Sequence, residues 1–209
     1  MALTTYTELK ASVADWLNRS DLTAAIPDFI TLAEARLARH PAVQYEKRGT
    51  ITVDAEVETL PSDCLEVRSL AFDDTVRHRP IEIVSPELLP AWRATLGETG
   101  APSVAAVTSN GTELQLSPTP DTAYVLKIVY LTAFTPLSST VATNWVLTSH
   151  PDLYLFGSLV EAAPYLKDDE RIAVWQSKVE QGLAELQALV ERRRYGANTL
   201  VMRPKRPIG

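Results

Sequence analysis

The chain has 209 residues, of which 45% are hydrophobic and 22% are charged, and its formal net charge is −6. This length and balance predict an ordinary globular protein with one core, or a core and a small subdomain. The single cysteine, Cys64, excludes an intramolecular disulfide, and no apolar run approaches the roughly 20 residues that cross a bilayer.

The first 40 residues predict two amphipathic helices. Thr5 and Glu8 have the spacing of a capping box, and the apolar residues that follow predict a helix over about residues 5–18. A second helix is predicted to start near Pro27, because a missing N–H costs nothing in a first helical turn. Pro41 should end it, since the residue before a proline disfavours helical geometry.

From Gly49 onward, apolar residues alternate with polar ones, which is the two-residue period of a half-buried strand. The pattern predicts strands over residues 51–57, 65–72, 76–83 and 123–132, with a chain reversal at Asp73-Asp74, a short helix over about 85–95 and the last strand in the centre of the sheet. Asn110-Gly111 predicts a hairpin between residues 104–108 and 113–116, because this dipeptide favours the positive φ angles of a tight primed turn.

Residues 149–195 predict two helices folded back on each other. The first has apolar residues at spacings of three and four from Leu153 to Ala163, and Pro164 should bend or end it. The acids at 168–170 suit the start of the second helix, whose apolar stripe runs from Ile172 to Val190. Such stripes are typical of a core or a subunit interface, and not of a ligand site.

These patterns predict an α+β protein in three parts. Residues 1–48 and 135–195 are expected to form a helical bundle domain in which the first two helices pack on the last two. Residues 49–134 are expected to form an inserted β-rich subdomain, and residues 196–209 an extended C-terminal tail.

The charge is unevenly distributed along the chain. Residues 192–209 hold six basic and no acidic side chains, whereas the other 191 residues hold 14 basic and 26 acidic ones, a net charge of −12. An acidic body disfavours general nucleic-acid binding, because phosphates are contacted by Lys and Arg. The tail combines cations with apolar residues, which suits a segment that becomes ordered on a partner. The candidate binding residues are Arg192, Arg193, Arg194, Tyr195, Leu200, Val201, Met202, Arg203, Lys205 and Arg206.

The sequence indicates no catalytic, cofactor or metal site. His40, His78 and His150 lie in different predicted elements, so no histidine pair has metal-ligand spacing. Cys64 has no neighbour that would activate it as a nucleophile. We therefore predict a protein that is not an enzyme, requires no cofactor and has no membrane segment or signal peptide.

One stretch resembles a known family. Residues 150–170, which read HPDLYLFGSLVEAAPYLKDDE and continue to Trp175, resemble the C-terminal helical region of tailed-phage head-to-tail connector adaptor proteins. Residues 6–39 and 100–130 resemble the same family.

The resemblance implies a structural role in the virion. Such adaptors assemble as a homo-oligomeric ring, commonly of twelve copies, at the head-tail junction after DNA packaging in the host cytoplasm. They bind the portal protein above through helices and a C-terminal extension, and they receive the tail nozzle or other tail proteins below. The genomic DNA passes through the lumen without specific binding. For this chain the portal-binding role is carried over to the end of the last helix and the tail, Arg192 to Arg206.

Two functions of other classes stay open at this point. One is a small hydrolase that uses Asp73, Asp74 or Asp152 with His150, although these residues have no motif spacing. The other is a regulator that contacts DNA through its basic tail, for which steeply salt-dependent DNA binding would be diagnostic.

Overall fold

The computed structural model describes residues 3–73, 79–166 and 171–195. Within those residues the chain is mixed α+β, as predicted, with six α-helices and a curled seven-stranded sheet. The helices are α1 Tyr6–Leu17, α2 Ile26–Ala38, α3 Leu89–Leu96, α4 Trp145–Ser149, α5 Pro151–Leu166 and α6 Ile172–Tyr195. The strands are β1 Glu46–Val53, β2 Val57–Thr59, β3 Cys64–Phe72, β4 Pro80–Val84, β5 Val104–Val107, β6 Glu113–Ser117 and β7 Tyr124–Thr132.

The chain divides into two compact units. The helical unit comprises the described residues up to Val43 and from Thr135 onward. The sheet unit comprises the described residues of Gln44–Phe134.

The helical unit begins with the two predicted helices. The predicted capping box of α1 is confirmed, because the Thr5 hydroxyl accepts the Glu8 N–H at 3.3 Å and the Glu8 carboxylate accepts the Thr5 N–H at 3.0 Å. Helix α1 ends at Asn18, which takes the left-handed conformation with φ 51°. Helix α2 carries Pro27 in its first turn, as predicted, and buries Phe29, Ile30, Ala33 and Leu37.

Helix α5 is the element on which α1, α2, α4 and α6 pack. The sequence predicts one apolar face, but α5 is buried on nearly all sides from Leu153 to Ala163. Two glycines bring neighbouring helices close to it. A Cβ at Gly157 would lie 3.3 Å from the Ala33 Cβ of α2, and a Cβ at Gly182 of α6 would lie 2.8 Å from the Leu153 Cδ2.

Pro164 lies inside α5, Pro151–Leu166. The acidic start predicted for α6 at 168–170 lies outside the described residues. A short additional helix, α4, precedes α5, and the Asn144 side chain caps it by accepting the Leu147 N–H at 2.9 Å.

The strands of the sheet unit are ordered β1-β7-β3-β4-β5-β6-β2. The β4–β5 pair is parallel and every other pair is antiparallel. Strand β7, predicted to be central, lies between β1 and β3. The inner face buries a core, and helix α3 covers Val104 and Ala106 on the other face of β5. The fully buried members of the inner core include Val53, Leu70, Ala105, Leu114, Leu116, Leu126 and Ile128.

The single strand predicted over residues 51–57 is wrong. It is divided between β1 and β2, which form opposite edges of the sheet. The break occurs because one Glu58 carboxylate oxygen accepts the N–H groups of both Asp54 and Ala55, each at 2.8 Å, and this bond pattern turns the chain. Since only three residues join the two edge strands, the sheet must curl to bring its edges within reach.

The hairpin predicted at Asn110-Gly111 is confirmed as β5–β6, but its predicted turn type is wrong. Gly111 has a positive φ of 73°, whereas Asn110 does not. Asn110 instead uses its side chain, which accepts the Thr112 N–H at 3.2 Å and the Thr108 hydroxyl at 2.6 Å. The chain reversal predicted at Asp73-Asp74 continues into residues 74–78, which lie outside the described residues.

Candidate functional site

The residues predicted to bind a partner begin at the end of α6. Along this helix Trp175, Val179 and Leu186 are buried, which confirms the predicted stripe, and Val190 is half-buried. Arg192 and Arg193 are exposed in the last turns. Helix α6 therefore carries two cations away from its packed stripe, at the end where the helix dipole favours positive charge.

The remaining predicted binding residues cannot be placed against these two arginines. The side chains of Arg194 and Tyr195 lie outside the described part of the chain, as do Leu200, Val201, Met202, Arg203, Lys205 and Arg206.

The surface of α6 carries three glutamine–glutamate pairs, each with its two residues four positions apart. Gln176 donates to Glu180 at 2.9 Å, Gln181 donates to Glu185 at 2.9 Å, and Gln187 donates to Glu191 at 3.1 Å. Glu180 and Glu185 thus lie in the middle of the helix, and Glu191 directly precedes the arginines. Each pair stabilises the helix by a few tenths of a kcal/mol, on the order of 0.2–0.5.

Both units expose large apolar side chains. In the helical unit, Trp16 is 50% exposed and stacks edge-on against Phe156 at 5.7 Å between ring centroids. Tyr165 is 62% exposed and stacks against Phe29 at 5.4 Å. Exposed aromatic residues of this kind are enriched in protein interfaces.

In the sheet unit the side chains of β7 that point away from the core are Val125, Lys127, Val129 and Leu131, here named the outer sheet face. Val125 is 46% exposed, and Val129 and Leu131 are half-buried. The buried Leu126, Ile128 and Tyr130 alternate with them. The β1–β7 register sets Thr52 opposite Val125 and Arg48 opposite Val129. The alternation was visible in the sequence, but only the register shows which strands extend this face on either side.

The residues of the hydrolase alternative have structural contacts. The Asp73 carboxylate pairs with the Lys127 Nζ at 2.6 Å within the sheet unit. His150 caps α4 and packs edge-on against Trp145, with ring centroids 6.2 Å apart, while Asp152 lies in the first turn of α5. Asp74 lies outside the described residues.

A buried polar cluster in the helical unit was missed by sequence reasoning. The Glu34 Oε1 of α2 accepts the Leu137 N–H at 2.7 Å and the Tyr154 hydroxyl at 2.9 Å, and the Asn144 Nδ2 donates to the Tyr154 Oη at 2.5 Å. The available signal was a carboxylate between Ala33 and Leu37 on the apolar face of α2.

Burial has a direct effect on the ionisation of this cluster. It raises the pKa of Glu34, and the hydrogen bonds from Leu137 and Tyr154 oppose that rise. The pKa of Tyr154 is also raised, first by burial and then by the charge of Glu34. These groups join helices and a connecting segment inside the unit, so their arrangement is structural.

Within residues 3–73, 79–166 and 171–195, no three His, Cys, Asp or Glu side chains gather as metal ligands. Cys64 is a half-buried free thiol whose pKa is raised by burial and by the charge of Asp63, which disfavours the reactive thiolate. No helix among the described residues is long and apolar enough to span a bilayer.

The family model described as SU10 adaptor protein matches residues 4–203. No curated protein matches the chain.

Proposed function

The chain belongs to the SU10 adaptor protein family, and on that premise we propose that it is a structural adaptor that joins the DNA-filled head of a tailed phage to its tail. The observation that carries this proposal is the family match, which spans 4–203 of the 209 residues and so includes both units. In this proposal the protein is a non-enzymatic virion component at the head-tail junction, assembled in the host cytoplasm.

We propose that copies of the chain form a ring of twelve below the portal. A ring closes through a repeated head-to-tail contact, so each subunit needs two different adhesive faces. The exposed aromatic residues Trp16 and Tyr165 of the helical unit, and the outer sheet face of β7 with its 46% exposed Val125, are the candidates for these two faces. In the proposed ring, the aromatic surface of one copy contacts the outer sheet face of the next copy.

Portal binding is assigned in this proposal to the end of α6 and the tail. Arg192 and Arg193 are exposed where α6 ends, and the sequence that follows adds three more apolar and three more basic residues between Leu200 and Arg206. The tail would enter between or along portal subunits, with its cations steering the encounter and its apolar residues supplying the anchor.

The proposal also covers the domain arrangement, the surface that binds tail proteins and the lumen of the ring. The helices act as one domain, the β-rich segment is an insertion in it, and tail proteins bind on the side away from the portal. An acidic lumen would let the genomic DNA pass without adhering, since the body outside residues 192–209 has a net charge of −12.

Mass photometry of the full chain, alone and mixed with the portal from the same genome, tests the proposal. We expect a monomer alone and about one added copy per portal subunit in the mixture, because the portal would template the ring. A monomer that ignores the portal would contradict the proposed function. A shift caused by DNA alone, lost steeply with added salt, would favour the DNA-binding alternative.

A further inference from the structure

The segment between β7 and α4, residues 135–144, is here named the strap. It contains no helix or strand, yet three helices hold it. The Tyr6 N–H of α1 donates to the Ala142 carbonyl at 2.7 Å, and the Glu34 carboxylate of α2 accepts the Leu137 N–H at 2.7 Å. The Asn144 side chain donates to Tyr154 of α5 at 2.5 Å. Three separate elements thus hold the strap, near its start at Leu137 and near its end at Ala142 and Asn144.

The attachment at Leu137 depends on a buried carboxylate. Glu34 is 4% exposed, and its Oε1 accepts from both Leu137 and Tyr154. The Leu137 side chain is itself buried. Lifting the strap would therefore remove one of the two hydrogen bonds to Glu34 and open its carboxylate to water.

We propose that Glu34 and the strap form a pH-sensitive latch, in which the strap is held most firmly when Glu34 is neutral and opens more readily when Glu34 is ionised. The physical reason is desolvation: a charged carboxylate loses more hydration than a neutral one when the strap closes. Opening returns that hydration to the charged form.

The direction of the pH effect follows from the same site. Burial raises the pKa of Glu34 in the closed state, against the opposing hydrogen bonds from Leu137 and Tyr154. A carboxyl whose pKa is raised stabilises the closed state fully below its ordinary pKa, and this stabilisation is lost as pH rises through the raised value.

The titratable groups around Glu34 do not account for the expected pH effect in its place. Tyr154 of α5 and Tyr6 of α1 face Glu34, and the pKa of each is raised, so both stay neutral in mild acid. On α2 itself, Asp28 is exposed and Arg36 pairs with Glu161 of α5 at 3.7 Å. The strap and α4 contain no Asp, Glu, Lys, Arg or His.

The latch has a consequence for how the chain is tethered. The strap is the return path of the chain from the sheet unit to the helical unit. When closed, it is fixed to α1, α2 and α5; when opened, it becomes a linker of residues 135–144. The latch would therefore decide whether residues 135–144 are held against the helices or are free. This consequence does not depend on the proposed function.

Hydrogen–deuterium exchange of the full chain, followed by mass spectrometry of peptides covering residues 135–144, tests the latch between about pH 4 and pH 8 after correction for intrinsic exchange. In the wild-type protein we expect the opening equilibrium of the strap to rise with pH, by at most about tenfold per pH unit between the ordinary and the raised pKa of Glu34. Glu34→Gln keeps an oxygen acceptor without the charge, so its strap should stay protected and lose the pH dependence.

Glu161→Gln is the matched control, since it removes a carboxylate from the same α2–α5 interface at a more exposed place and should leave the wild-type profile unchanged. A flat profile in the wild-type protein would overturn the proposal without any variant. The same slope in Glu34→Gln as in the wild type would overturn it as well.

Discussion

At the scale of single residues, Asp63 joins three strands of the sheet unit. Its carboxylate accepts the Lys47 ammonium of β1 at 2.8 Å and the Tyr130 hydroxyl of β7 at 2.9 Å, and its backbone carbonyl accepts the Ala133 N–H at 2.7 Å. Asp63 directly precedes β3. One side chain in a turn therefore fixes the ends of β1, β7 and β3 relative to each other.

We expect Asp63→Asn to lower the free energy of unfolding by about 1 kcal/mol or less at neutral pH, because the Lys47–Asp63 pair is more than one third exposed and its charge is screened by water. The hydrogen bond from Lys47, then that from Tyr130, lowers the pKa of Asp63. Its contribution is therefore present above the ordinary pKa of an aspartate and is lost as pH falls through the lowered value.

Urea unfolding of the wild-type and Asp63→Asn proteins from neutral pH down to about pH 3 measures this difference. The gap between the two proteins should narrow in acid. Glu82→Gln, an exposed carboxylate on β4, serves as the control and should show a smaller effect at neutral pH. A gap that stays constant across the range would contradict the assigned role of Asp63.

At the scale of elements, close helix packing in the helical unit depends on glycines inside helices. Glycine costs a helix about 1 kcal/mol relative to alanine, so its presence in the middle of α6 requires a compensating contact. At Gly182 that contact is the Leu153 side chain of α5, which is fully buried and would meet an added Cβ at 2.8 Å. Gly182 is thus where α6 approaches α5 closely.

Gly182→Val should destabilise the protein by about 1–3 kcal/mol, because the added carbons overpack the contact with Leu153. Thermal unfolding monitored by circular dichroism checks this. Ala184→Val, at an exposed position of the same helix, adds the same branched side chain without the contact and should cost only about 0.5 kcal/mol. Because valine is a better helix former than glycine, helix propensity alone would make Gly182→Val slightly stabilising. An unchanged or raised unfolding temperature for Gly182→Val would therefore contradict the packing role of Gly182.

At the scale of the whole molecule, the net charge is divided between the two units. The sheet unit, Gln44–Phe134, holds 13 acidic and 7 basic side chains, whereas the rest of the chain holds 13 of each. Outside the sheet unit this balance depends on the six cations of residues 192–209. The C-terminal segment is therefore the basic part of an otherwise acidic protein, a charge that favours association with an acidic surface.

Deleting residues 198–209 should weaken binding to the portal by at least about tenfold, equivalent to about 1.4 kcal/mol, while the unfolding temperature stays unchanged. The expectation rests on the removal of Leu200, Val201 and Met202 together with Arg203, Lys205 and Arg206. Biolayer interferometry on immobilised portal measures the affinity, and calorimetry measures the unfolding.

A triple variant, Arg203→Gln with Lys205→Gln and Arg206→Gln, separates charge from apolar contact. It should bind more weakly than the full chain and lose part of the salt dependence of binding. Unchanged binding after the deletion would refute the role proposed for the tail.

Features that depend on neighbouring residues could be predicted from the sequence. The capping box of α1, the β5–β6 hairpin and the apolar stripe of α6 each arise from residues a few positions apart, where local hydrogen bonds and helical periodicity suffice. The family resemblance was also readable from the sequence, because it rests on a continuous run of residues.

Features that join distant residues could not be predicted in this way, because they form only when the whole chain folds. The Glu34–Leu137 hydrogen bond spans 103 positions, and no local pattern indicates which backbone N–H a buried carboxylate will meet. The separation of β1 and β2 to opposite edges, and the burial of α5 on nearly all sides, likewise depend on which elements pack together. Sequence periodicity shows which residues of a helix or strand are apolar. Which other helices and strands they contact depends on the packing of the whole chain.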